Sequence, residues 1–252
     1  MENTSYIGLS RQIALGRKMD IVANNIANLD TAGFQGERPI FEEFLVDSTN
    51  KRELSYVHDF GTWRNTKPGP FIKTGNPYDL AITGETYFAV STDQGPKFTN
   101  NGRFQLSGDG TLVNANGLPV LDVNDEPIII TEEDGQISVT ENGIILSELG
   151  EIAQLRIVNF QNPQELKKSG SGLFSTEEIP IELTGNENQD IIIEIDFSVK
   201  QGFFEASNVQ GITEMTRMMD VVRSYTSTAN MIKTDHDLHR RAVEKLGQVV
   251  SA

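Results

Sequence analysis

From Met215 to Val250, residues recur at alternating steps of three and four: Met215, Met218, Val222, Tyr225, Ala229, Ile232, His236, His239, Val243, Leu246 and Val250. This is the heptad spacing of a helix that lies along another helix. As one helix the stretch is about 54 Å long. It cannot bury its own stripe, so a partner is required. At the other end of the chain Leu15, Met19, Val22, Ile26 and Leu29 repeat the spacing, preceded slightly out of phase by Tyr6, Leu9 and Ile13. Helical seams at both termini, with non-helical sequence between them, predict an α+β fold. The terminal helices pair into a coiled coil, and a central antiparallel β-rich domain lies between them.

The 252 residues suffice for one large or two small domains. A net charge of -15 repels phosphate backbones and anionic lipid, which argues against nucleic-acid binding and peripheral membrane binding. No apolar run reaches the roughly 18 residues of a membrane span, and the N-terminus reads as neither a basic n-region nor an apolar h-region. Without cysteine there is no disulfide, thiolate catalysis or cysteine-ligated metal.

Residues 4–29 read as a helix, closed by Gly33 in a left-handed turn with Phe34 packing back. Asn24, Asn25 and Asn28 are poor helix formers, and their amides are expected to hydrogen-bond a neighbouring subunit. Residues 34–66 read as an extended connecting arm with scattered aromatics, the alternative being a strand pair of unclear phase. Residues 67–200 carry short branched runs, among them Leu80–Ile82, Tyr87–Val90, Leu155–Val158 and Ile191–Ile193. They are punctuated by Asn101-Gly102, Asn116-Gly117, Asn142-Gly143 and Gly108-Asp109-Gly110, the dipeptides and glycines of tight hairpins. That pattern fits an antiparallel sandwich or barrel. A second helix resumes near Ser207-Asn208.

Reactive chemistry is sparse. His236 and His239 stand three apart on one helix face, but on the seam, where polar residues more often fix register. Asp122–Pro127 starts like a calcium loop, yet Pro127 occupies the required glycine position. No cofactor or metal is expected. The rival readings are a β-sandwich hydrolase using aspartates, or a fibre subunit of another kind.

Four blocks then match a family in order. Ala23-Asn24-Asn25-Ile26-Ala27-Asn28 leads through Thr31-Ala32-Gly33 to Phe34. Asp79-Leu80-Ala81-Ile82-Thr83-Gly84 precedes Tyr87-Phe88-Ala89-Val90. Phe98–Phe104 is followed by Gly110-Thr111-Leu112-Val113 and Gly117–Leu121. Ser207-Asn208-Val209 comes before Glu214-Met215, Arg223-Ser224-Tyr225 and Met231-Ile232. In these the chain resembles the bacterial flagellar rod and hook proteins. Its length and Thr74-Gly75-Asn76-Pro77 are most similar to the proximal-rod members, with the distal rod next. Gln35-Gly36, Thr86 and Asn100 depart from the family pattern.

The resemblance implies a non-enzymatic structural subunit of the basal-body rod. It would be exported by the flagellar type III apparatus without signal cleavage, and it would lie in the periplasmic, torque-transmitting shaft. Its partners would be other rod proteins and copies of itself. The implied divisions are 1–33, an assembly helix; 34–66, the arm; 67–200, the β-rich outer domain; and 201–252, the second assembly helix. The assembly interface would comprise Leu15, Met19, Val22, Asn24, Asn25, Ile26, Asn28, Leu29, Met215, Met218, Val222, Tyr225, Ala229, Ile232, His236, His239, Val243 and Leu246. Ends of this kind are expected to order on binding.

Overall fold

The computed structural model describes residues 2–47, 53–184 and 197–250, with side chains over 6–42, 61–184 and 197–245. The Ile191–Ile193 run and the Leu246 side chain lie outside the described residues. Two compact units result. Residues 1–27, 37–64 and 210–252 make the first; residues 28–36 and 65–209 make the second.

The first unit joins helix α1 (Glu2–Ala27), strand β1 (Glu37–Asp47), strand β2 (Glu53–Arg64) and helix α2 (Gly211–Val250). Segment 34–66, expected as an arm, thus contains an antiparallel strand pair. Glu37 stands opposite Arg64 and Asp47 opposite Glu53, with a register shift after Ile40 where Phe60 is the extra residue. The helices run antiparallel. Near one end a Cβ on Gly8 would meet Ile232 Cγ1 at 2.9 Å, so the bare glycine lets the two helices approach. Near the other end Asn25 reaches Glu214. With 40 residues against 26, α2 is some 20 Å the longer at 1.5 Å per residue, and every residue from Arg240 to Lys245 is exposed. α1 packs against the β1–β2 pair as well as α2. It accordingly buries two adjacent lines, Ala14 with Ile21 and Gly8 with Val22.

The second unit is β-rich and antiparallel. Its largest sheet orders the strands Lys167–Lys168, Phe174–Ser175, Lys97–Thr99, Thr86–Val90, Ile157–Asn159 and Ile181–Glu182. Strand Thr86–Val90 is buried on both faces because its alternate side chains enter different cores. Phe88 and Val90 join Leu80, Phe104, Ile145 and Leu155, while Tyr87 and Ala89 join Phe98, Phe160 and Phe174. In the second core the rings meet edge to face, Tyr87 on Phe160 at 5.5 Å and Phe98 on Phe160 at 4.9 Å.

Turn expectations divide by mechanism. Gly110, Gly117 and Gly143 take φ of 82, 77 and 78° in hairpin turns. Asn101-Gly102 is not a hairpin turn. A Cβ on Gly102 would lie 1.6 Å from the Leu80 carbonyl oxygen, so glycine is needed there for close backbone approach. The first helix ends at Ala27, six residues before Gly33. Gly33 does take φ 66°, but its N–H donates to the Glu205 carbonyl at 2.8 Å. The two departures Thr86 and Asn100 are neighbours: Asn100 Nδ2 donates to the Thr86 carbonyl at 3.2 Å.

Candidate assembly interface

α2 carries two faces. Turned inward are Glu214, Val221 and Thr228, all buried, interleaved with the half-buried Met218, Tyr225 and Ile232. Met218, Tyr225, Ile232 and the half-buried His239 belong to the expected seam. Its other members are displaced by one residue: Val221 and Thr228 fill the places expected of Val222 and Ala229. Two polar residues can line this stripe because each is satisfied. Thr228 Oγ1 donates to the Ser224 carbonyl at 2.9 Å, and Glu214 pairs with Arg217.

The second face is open. Ile212, Met215, Met219 and Val222 continue the three–four spacing about 120° around the helix, with Ile212 85% and Met215 53% exposed. Val243 is 69% exposed on the stretch near the C-terminal end. His236 is exposed and Ala229 half-buried. His239 Nε2 lies 3.6 Å from Asp235 Oδ2. On α1, Tyr6, Leu9 and Ile13 form a shorter open apolar face. Val22 is buried, and Leu15, Met19 and Ile26 are half-buried.

The asparagines do different things. Asn25 is 3% exposed. Its Nδ2 donates to the Glu37 carbonyl at 2.8 Å and to Glu214 Oε2 at 3.3 Å, and its Oδ1 accepts the Glu37 N–H at 3.0 Å. The amide expected to reach a neighbouring subunit is therefore engaged inside its own chain, tying α1 to β1 and α2. Asn24 is exposed. Asn28 and Leu29 fall in the second unit, where Asn28 Oδ1 accepts the Thr31 hydroxyl at 3.1 Å.

A comparable role falls to Asn208, which the interface expectation omits. Its Oδ1 accepts the Gly36 N–H, its Nδ2 donates to the carbonyls of Asn65 and Lys67, and its own N–H donates to Phe34. One residue thereby ties its own segment to two others of the second unit. Glu205 lies close by in sequence and is also buried. Its Oε1 accepts the Gly69 N–H at 2.9 Å. Burial pushes its carboxyl up to about 7, opposed by that single hydrogen bond.

Among the described residues no three His, Asp or Glu side chains gather as a metal site. Helical termini joined into one unit, open apolar helix faces and a separate β-rich unit define a structural subunit of a larger assembly. The chain belongs to the flagellar basal-body rod protein family. It is 35% identical to the flagellar basal-body rod protein FlgF of Caulobacter vibrioides, over 99% of this chain and 100% of that one. It is 31% identical to FlgF of Rhizobium meliloti, over 98% and 99%, and 29% identical to the rod protein FlgG of Bacillus subtilis, over 96% and 98%. Three family descriptions match in order. Residues 6–35 match Flagella basal body rod protein, 81–147 match Flagellar hook protein FlgE/F/G D1 domain, and 200–244 match Flagellar basal body rod FlgEFG protein C-terminal. The chain is a structural subunit of the basal-body rod and assembles with other rod and hook proteins. No described helix is long and apolar enough to cross a membrane.

Proposed function

We propose that the chain builds the proximal part of the rod through its terminal helices, which act as a coiled-coil pair whose open faces are covered by neighbouring rod subunits. The observation that carries this reading is the second apolar stripe of α2, Ile212, Met215, Met219 and Val222, left exposed at the spacing of a helix seam. Contacts of this kind are heterologous, and when they do not close they extend as a helical shaft. Of the predicted interface residues, Met215 and Val222 belong to this stripe, and Asn25 joins α1 to α2 through Glu214. Export through the type III apparatus without signal cleavage, periplasmic placement and a non-enzymatic role are parts of the same proposal. They are supported by membership of the rod-protein family, and the proximal placement by the greater identity to FlgF than to FlgG relatives. The test is in vivo cross-linking from a photoreactive residue at Met215 in motile cells. Adducts with a FlgF-adjacent rod protein are expected. Adducts confined to hook or distal-rod subunits would move the chain to the distal rod, and a full absence of rod adducts would sink the proposal.

A further inference from the structure

A cleft of about 250 Å³ opens on the first unit between α1, the start of β1 and the first turns of α2. Lys18, Arg38 and Arg217 bring three positive charges to it; Glu37 and Glu214 bring two negative ones. The charges are not all engaged alike. Arg217 is held by Glu214, itself held by Asn25. The side chains of Lys18 and Arg38 have no ion pair or hydrogen bond among the described residues. Pro39 and the exposed Phe41 add apolar wall beside them. Two unengaged cations beside apolar surface match a carboxylate on a short apolar stem.

The chain as a whole is strongly acidic, with 36 Asp and Glu against 21 Lys and Arg. Two copies therefore repel at long range, and a locally cationic cleft is where they can instead attract. We propose that this cleft receives a carboxylate side chain from a second copy of the chain, which pairs with Lys18 and Arg38 while Pro39 and Phe41 cover its stem. The contact is heterologous, cleft to carboxylate, and so can be repeated from copy to copy. It rests on the assembly reading above and gives that surface a charge rule.

Sedimentation of the full chain at rising concentration tests it. The wild type self-associates, and added salt weakens the association. K18E/R38E weakens it on the order of tenfold, whereas K18R/R38K retains it. Should reversal disturb folding by circular dichroism, K18A/R38A carries the same comparison. Unchanged association in the folded charge variants, or a wild type that never self-associates, overturns the proposal. Motility complementation separates the two readings. If K18E/R38E restores motility fully, the cleft contact falls and the rod role stands; if the wild-type chain fails to complement a rod-protein deletion, the rod role falls.

Discussion

Asn25 and Glu37 exchange two hydrogen bonds, amide to carbonyl at 2.8 Å and N–H to amide oxygen at 3.0 Å. The side chain of one thus imitates a strand partner for the backbone of the other. It also supports Glu214, and through it Arg217. Replacing Asn25 with Ala takes a partner from the half-buried Glu37 N–H and carbonyl and from one oxygen of the buried Glu214 carboxylate. The expected loss is about 3 kcal/mol of unfolding free energy in urea titration. A loss under about 0.5 kcal/mol would show that water replaces the amide freely.

The inner and outer stripes of α2 predict opposite behaviour at adjacent positions. Val221 is buried and Val222 exposed. Val221→Asp is expected to destabilise the monomer by about 3 kcal/mol or more. Val222→Asp and Met215→Ser should shift stability by no more than about 0.5 kcal/mol, yet impair incorporation into basal bodies. Thermal melts beside immunoblots of purified basal bodies check both halves.

Glu205 makes the stability of the second unit pH-dependent in an unusual direction. Its folded carboxyl titrates at about 7 against an ordinary 4.5, so between these values the folded state binds more protons than the unfolded one. Its contribution is complete below pH 4.5 and is lost as pH rises through 7, about 3 kcal/mol in all. Glu205→Gln can keep the bond from Gly69 without the charge. Near pH 8 it should be more stable than wild type by a similar amount, and denaturation at pH 5 and 8 would expose the missing slope.

Gly102→Ala places a methyl group 1.6 Å from a backbone oxygen. Neither side can yield without moving a strand, so a loss of about 3 kcal/mol or more is expected. Gly117→Ala meets nothing within 4 Å and suffers only its positive φ, a loss nearer 1 kcal/mol. Reversing that order in paired urea titrations would contradict the steric account.

What the sequence disclosed depended on whether the signal was periodic or tertiary. The terminal helices were legible because three–four spacing survives in the side chains themselves, and the short strands because branched runs stand between Asn-Gly and glycine turns. The face of α2 turned to α1 was misjudged by one residue. Glu214 and Thr228 are polar and vanish from an apolar reading, and their satisfaction by Asn25, Arg217 and Ser224 exists only in the fold. Gly102 looked like a turn because Asn-Gly usually is one. Its true reason, the Leu80 carbonyl, lies 22 residues away. The asparagines stood out because they are costly in a helix, but sequence could not tell an amide aimed at a neighbouring molecule from one aimed at Glu37.

The bond between Asn25 and Glu214 joins residues 189 positions apart. During synthesis α1 emerges long before the helix that covers it, and the line facing α2 stays bare until translation passes residue 211. A ribosome that stops before that point therefore releases a chain able to close its β-rich unit but unable to close the unit that carries the proposed assembly surface. Under the proposed assembly, the far-apart halves of that unit make synthesis of α2 a condition for joining the shaft, so a product truncated before it excludes itself.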